Sequence, residues 1–267
     1  MAEIAPDVRF RFTSPHPKDF PEKLIDVIKD NKNICKQIHL PAQSGSSKVL
    51  KNMRRFYTRE AYLNLVDFIK SKIPYIALSS DFIAGFCDES EEDFNETLSL
   101  LEEVKYDMSF LFAYSMREKT HAYHNLKDNV SEEIKKIRLN KMIEVFKKHQ
   151  LDKNKEELGK YHIVLVEGFD RRNNNKLVGR TDTNKLCIFE NEKVFNEIPE
   201  FLKQGIISNE LSFENLNKSK ELKKGDYAIV KIQDCSNNTL YSSGIAYVNK
   251  MKEFFEVSKG KPFIELN

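Results

Sequence analysis

Apolar positions repeat at two different periods along this chain, and the pattern changes once. Up to about residue 155, short apolar runs alternate with stretches whose apolar positions recur every three to four residues. Residues 8–13 (VRFRFT) alternate apolar and basic and stop at Ser14-Pro15-His16-Pro17, which predicts a strand ending in a rigid loop. Asp19 can cap a helix with Pro21 near its first turn, and Leu24, Ile25 and Ile28 follow at helical spacing. A second strand, 37–40, runs into the loop Pro41-Ala42-Gln43-Ser44-Gly45, and helical patterning resumes from Ser46 and again from Thr58. A third strand covers 76–83 and closes at Gly85; Ser90 and Asp93 then have the spacing of a capping box. A fourth strand, 108–114, precedes a long helix over about 131–155.

Past Leu158 the long helices stop. Segments 161–167, 186–189, 227–233 and 239–247 are short β runs punctuated by Gly168, Gly179, Gly225 and Gly244, the pattern of a small β-barrel. Between its first strands, residues 171–180 carry four cations, read here as a basic hairpin tip, with a plain solvated loop as the bland alternative.

Four alternating βα units imply a parallel sheet with helices outside it, and such sheets collect chemistry at the C-terminal ends of their strands. Those ends carry Thr13-Ser14-Pro15-His16, the 41–45 loop, Ser79-Ser80-Asp81 and Tyr114-Ser115-Met116-Arg117. Polar groups at four successive ends predict a site rather than ordinary solvated turns. A complete barrel takes eight such units, about 250 residues. Met1 stands seven residues before the first strand, so the chain reads as lacking the front of its barrel.

Composition narrows the class. Of 267 residues 40% are hydrophobic, and 19 Phe with 10 Tyr are too many for a solvated, unfolded chain. No apolar run reaches the roughly 18–20 residues of a bilayer span, so no membrane is expected among the partners. The net charge of +2 places any nucleic-acid footprint in local patches. The cysteines at 35, 87, 187 and 235 have neither metal-binding nor disulfide-framework spacing and read as reduced, mostly buried thiols. The N-terminus shows no targeting segment.

Six stretches together carry a family resemblance: 11–17 (RFTSPHP), 38–46 (IHLPAQSGS), 53–59 (MRRFYTR), 79–86 (SSDFIAGF), 114–120 (YSMREKT) and 179–184 (GRTDTN). Nearly the whole chain resembles the radical SAM methylthiotransferases of the MiaB type, which thiomethylate an adenosine beside the tRNA anticodon. The run from Tyr114 to His124, and Cys87 where bacterial members usually have Pro, look like the eukaryotic, mitochondrial branch, also described as binding a Cdk5 activator.

The resemblance implies an α/β fold: four βα units of a partial radical SAM (β/α)6 barrel over residues 1–155, then a small all-β, RNA-binding TRAM barrel over 156–260. It implies a tRNA-2-methylthio-N6-dimethylallyladenosine synthase, adding a 2-methylthio group to N6-prenylated adenosine with S-adenosyl-L-methionine (SAM) and [4Fe–4S] clusters. In the family, C-x-x-x-C-x-x-C holds one cluster and leaves an iron open to SAM, and three further cysteines hold an auxiliary cluster. Neither set occurs in this chain, so it assigns no metal ligand and no catalytic residue, and the chain alone is expected to be inactive. A non-catalytic RNA-binding or kinase-activator-binding module is the rival reading. The resemblance points to mitochondria, with the cytoplasm as second choice.

By the same resemblance, Asp81-x-Ile83-x-Gly85-x-x-x-Glu89 is the strand motif that meets SAM: Ile83 packs on adenine, and Asp81 accepts bonds from a ribose or ammonium. Gln43, Ser44 and Ser80 stand at neighbouring strand ends as cofactor contacts. Arg55 and Arg117 suit the SAM carboxylate or a tRNA phosphate, because guanidinium grips such groups bidentately. His39, inside a strand, is read as a packed imidazole, and His16 as facing the site. Lys160, Arg171, Arg172, Lys176, Arg180 and Asn184 form the expected surface for the anticodon stem-loop. Asp88 and Glu118 replace the Gly and Pro commoner in bacterial members, which puts loop shape there in question.

Overall fold

A computed structural model describes residues 2–13, 16–205 and 219–266. Ser14 and Pro15 of the first predicted loop lie outside the described residues, as does 206–218 of the predicted C-terminal domain. The chain divides into two compact units: residues 12–26 with 38–150, and residues 1–11, 27–37 and 151–267. The sequence places a single boundary at 155/156, whereas two N-terminal segments cluster here with the C-terminal unit.

The α/β unit holds a three-stranded sheet in the order β1 (Gln37–His39), β2 (Ala77–Ala84), β3 (Met108–Ala113). β2 and β3 pair in parallel, Ser79 opposite Met108 through Ala84 opposite Ala113. Helix α1 (Glu22–Asp30) precedes β1, while α2 (Ser47–Asn52) and α3 (Arg59–Lys72) separate β1 from β2. Helix α4 (Glu91–Val104) separates β2 from β3, and α5 (His121–Asn125) and α6 (Glu132–Lys155) follow. The helix starts follow their caps. Thr58 Oγ1 accepts the Ala61 amide at α3, and the expected box at α4 is complete, Ser90 and Asp93 each bonding the other's backbone amide.

The barrel unit contains β4 (Tyr161–Phe169), β5 (Lys176–Thr181), β6 (Leu186–Glu190), β7 (Val194–Phe195), helix α7 (Glu200–Gln204), β8 (Ser219–Lys220), β9 (Tyr227–Cys235), β10 (Thr239–Val248), helix α8 (Met251–Val257) and β11 (Phe263–Ile264). Strands β4, β5, β6, β10 and β9 pair in a closed ring, the expected small barrel, which leaves no free edge within the ring. Tyr161–Val164 is buried on both faces because Val164 and Val166 fill the barrel interior with Leu177, Phe189 and Val230, while Tyr161 and Ile163 pack with Met251, Phe254 and Phe255 of α8. That double burial explains why this strand reads as a continuous apolar run.

Two expectations are corrected. Residues 8–13 form no strand of the α/β sheet, so this unit has three strands, not the four of the expected βα series. Phe10 makes one parallel bridge to Ile34, and the two arginines of the alternation leave for the barrel. Arg9 donates to the carbonyls of Arg180 (2.6 Å) and Ile163 (2.7 Å), and Arg11 to those of Asp182 (3.0 Å) and Thr181 (2.5 Å). The period-two pattern was therefore real, but its polar face seeks backbone carbonyls rather than water. Second, the basic stretch 171–180 is not all hairpin tip: Lys176 and Arg180 stand on β5, and only 170–175 turn.

An acidic centre also organises the barrel unit. Burial raises the Glu157 carboxyl, but the bond from His162 Nε2 (3.1 Å) and the ammonium groups of Lys185 and Lys160 outweigh it and hold the group at about 2.

Two outcomes follow in thermal denaturation. Arg11→Ala lowers stability by about 1–3 kcal/mol, and Arg11→Lys does not restore it, because one ammonium cannot replace two forked donors. Glu157 is more acidic folded than its ordinary 4.5, so its contribution is complete above that pH and is lost as pH falls toward 2; in Glu157→Gln this acid-side loss is reduced.

Candidate active site

Five carbonyls and two hydroxyls pin the loop after β1. The Leu40 amide donates to the Ser79 carbonyl (2.7 Å) and the Gln43 amide to that of Asp81 (2.8 Å), while the Ile83 amide returns a bond to the Gln43 carbonyl (2.9 Å). Tyr57 Oη donates to the carbonyls of Pro41 (3.1 Å) and Ala42 (3.0 Å), and the Ala42 amide donates to Ser80 Oγ (2.9 Å). Held this way, Gln43 adopts a left-handed backbone, φ 67°, and its side chain reaches the cavity. Gly45 is obligatory on steric grounds: a Cβ would fall on the Glu96 carbonyl and Thr97 Cα of α4.

A cavity of about 600 Å³ opens at the C-terminal ends of β2 and β3. Gln43, Arg55, Asp81, Ile83 and Arg117, five of the seven expected cofactor contacts, line it. The other two do not. Ser44 Oγ faces Thr97 Oγ1 (3.2 Å) and accepts the Ser46 amide (3.1 Å), and Ser80 is fully buried as the acceptor for Ala42. Both serines shape the loop from behind. The apolar wall is Met53, Ile83, Phe86, Phe112 and Ala122; Tyr114, Ser115 and Thr120 of the 114–120 motif add polar groups, as do Asn52 and His121, which no candidate set named. His121 Nδ1 is buried without a hydrogen-bond partner among the described residues. Thr120 was findable as an N-cap, its Oγ1 accepting the Tyr123 amide; no sequence signal marks His121.

Charge is unevenly spread. Asp81 is the one carboxylate in the lining, against the guanidinium groups of Arg55 and Arg117. His39 is neither solvated nor merely packed: its Nε2 is 3.4 Å from Asp81 Oδ2, and its Nδ1 3.0 Å from Ser79 Oγ, which orients the carboxylate. His16 stands edge-on to Tyr57 at 5.4 Å; partial burial and the Arg55 charge lower its pKa, favouring the neutral imidazole. Burial raises Tyr57 to about 12, which keeps its hydroxyl a donor.

The remainder of the strand motif is a turn. Gly85, at φ 76°, donates its amide to Glu89 Oε1 (2.9 Å), which also receives Arg138 Nη1 (2.9 Å). Asp88 occupies a left-handed position, φ 60°, without glycine, because Asn129 exchanges two bonds with it, one to its amide (2.9 Å) and one to its carboxylate (2.6 Å).

The thiols do not fit an iron–sulfur cluster. Cys35, Cys87 and Cys187 are buried, burial raises Cys35 to about 11 and Cys187 to about 12, and among the described residues no three His, Cys, Asp or Glu converge as metal ligands.

In the barrel unit, the expected RNA-facing cations divide. Arg171 and Arg172 are exposed at the β4–β5 turn. Lys176 is paired with Glu190 at 2.8 Å and Arg180 with Glu167 at 3.6 Å. Lys160 is largely withdrawn, 3.6 Å from Glu157 and over the Phe263 ring at 4.4 Å. Asn184 shapes the β5–β6 turn at φ 68°, its carbonyl accepting Arg180 Nη1.

Residues 1–101 match the Radical SAM superfamily. Over 240 residues the chain is 48% identical to the mouse protein "Mitochondrial tRNA methylthiotransferase CDK5RAP1", covering 90% of this chain and 38% of that one. Over 190 residues it is 50% identical to "tRNA-2-methylthio-N(6)-dimethylallyladenosine synthase" of Porphyromonas gingivalis, covering 71% of this chain and 41% of that protein. The chain thus spans about two fifths of the length of these curated relatives. These matches bear out the resemblance drawn from the motifs. The solved structure of Escherichia coli coproporphyrinogen III oxidase (HemN), a radical SAM enzyme, aligns with a TM-score of 0.43 at 15% identity, over 87% of this chain and 50% of its own.

Gly45→Ala is expected to destabilise the α/β unit by about 1–3 kcal/mol through overpacking against α4, read as a lowered melting temperature.

Proposed function

We propose that this chain is the cofactor-pocket and RNA-binding portion of a radical SAM tRNA methylthiotransferase, acting on an N6-prenylated adenosine beside the anticodon, in mitochondria. The observation that carries this reading is the convergence of Asp81, Arg55 and Arg117 with Ile83, Phe86 and Phe112 in one cavity at the strand ends. A SAM molecule carries an ammonium, a carboxylate, ribose hydroxyls and a flat apolar base. Asp81 suits the ammonium or the hydroxyls, Arg55 and Arg117 the carboxylate, and the apolar wall the adenine. When bound, SAM supplies a sulfonium-activated carbon. This chain's own groups then bind and orient: Gln43 presents an amide from a locked loop, and His39 holds the Asp81 carboxylate.

The transfer itself needs cluster thiolates that these four cysteines do not fit, so we assign the isolated chain binding without turnover. The same mismatch favours the second reading, a non-catalytic RNA-binding module, for the chain on its own. In the closed barrel we assign RNA contact first to Arg171 and Arg172, then to Lys176 and Arg180, whose acidic partners are exposed or half-exposed and can be exchanged for phosphate. Lys160 and Asn184 support the barrel instead.

Calorimetric titration with SAM tests the cavity. Arg55→Ala, Arg117→Ala and Asp81→Asn each weaken binding about 10-fold or more, while Ser44→Ala stays within about two-fold. Unchanged affinity in the first three moves the cofactor elsewhere. With an anticodon stem-loop RNA, Arg171→Ala with Arg172→Ala lowers the slope of log affinity against log salt by about two.

A further inference from the structure

Residues 52–57 combine features that the cofactor reading leaves unused. Arg54 and Phe56 both hold left-handed backbone, φ 58° and φ 59°, with Arg55 between them. A bulky aromatic at positive φ is an outlier, and such strain persists where surrounding structure enforces it, often at binding sites. The strain here is enforced from both sides. The Arg54 and Arg55 amides are taken by the Lys51 and Leu50 carbonyls (3.0 and 2.9 Å), and Tyr57 is tied to the 41–42 carbonyls. The result presents the Phe56 ring to solvent: it is 72% exposed, against 50% and 52% for Phe110 and Phe112 and 0–5% for Phe82, Phe86 and Phe94 of the same unit. Its surroundings are basic. Lys18 Nζ lies 5.2 Å from the ring centroid, Arg54 is exposed, and Arg55 reaches the cavity alongside its neighbours Asn52 and Met53.

An exposed, rigidly held ring among cations, next in the chain to the cavity-lining Arg55, matches the chemistry of one unpaired nucleotide, with the base on the π-face and the phosphates on the cations. A protein partner would be expected to bury an apolar patch, not one ring ringed by charge. We propose that Phe56 is a stacking platform for an unpaired RNA nucleotide next to the base that enters the cavity, with Lys18 and Arg54 taking its phosphates. This rests on the RNA reading above and adds the residue that holds the neighbouring nucleotide.

The chain contains no Trp, so Phe56→Trp introduces a single indole reporter. A stem-loop RNA with an unpaired seven-nucleotide loop should quench its emission, and the same stem as a closed duplex should not. Phe56→Gly relieves the positive-φ strain, so it should melt at or above the parent while binding the labelled stem-loop about 10-fold more weakly or worse. A purely structural role for the ring predicts the reverse, a lower melting temperature with unchanged affinity. Stem-loop binding that is undiminished in Phe56→Gly and unquenched in Phe56→Trp overturns the platform and leaves the RNA reading standing. Failure of the parent chain to bind the stem-loop at low salt overturns both. Quenching that depends on protein concentration without RNA marks the ring as a contact between copies and also overturns the platform.

Discussion

The cavity depends on one backbone constraint: the chain leaving β1 stays hydrogen-bonded to β2 for several residues beyond the end of the strand. The reciprocal bonds of Gln43 with Asp81 and Ile83 fix three lining residues in one register. Everything nearby serves that ladder. The hydroxyls of Tyr57 and Ser80 satisfy the groups the ladder leaves over, and the bare Cα of Gly45 lets α4 close from behind. A polar loop next to a strand end is usually soft; this one is rigid because its amides and carbonyls are almost all committed. The positions of Gln43 and Asp81 are therefore set by main-chain geometry, and a substitution far from the cavity, such as one on α4 facing Gly45, would be felt inside it.

Charge pairing explains why a chain with a net charge of +2 can carry separate roles. In the barrel unit, carboxylates temper several cations: Glu157 serves three basic side chains, Glu167 one and Glu190 one. The β4–β5 turn is left with two exposed arginines. In the α/β unit the cavity sets two guanidinium groups against one carboxylate.

Local signals were legible in the sequence and long-range ones were not. The Ser90–Asp93 box, the strands at 76–83 and 108–114 and the helix over 131–155 lie within one or two residues of their places, because caps and periodicity are read over a few neighbours. Five of seven cavity contacts were legible because strand ends concentrate them. Ser44 and Ser80 lie behind the cavity, a placement the sequence does not show because a serine facing a cavity and one facing a backbone amide look alike in it. The alternation at 8–13 looks like any amphipathic strand, yet its arginines answer carbonyls more than 150 residues away. Phe56 and His121 left no trace, since neither exposure nor an unpaired nitrogen has a sequence pattern.

The arginine clasp also sets an order of events during synthesis. The carbonyls that Arg9 and Arg11 bind, at 163 and 180–182, leave the ribosome some 150–170 residues after them. At about 5–20 residues per second that separation is on the order of ten to thirty seconds. For that interval the two guanidinium groups lack their barrel acceptors, although Phe10 between them can already bridge Ile34. The clasp is thus among the later contacts to close, and its two side chains wait on a barrel made long after them.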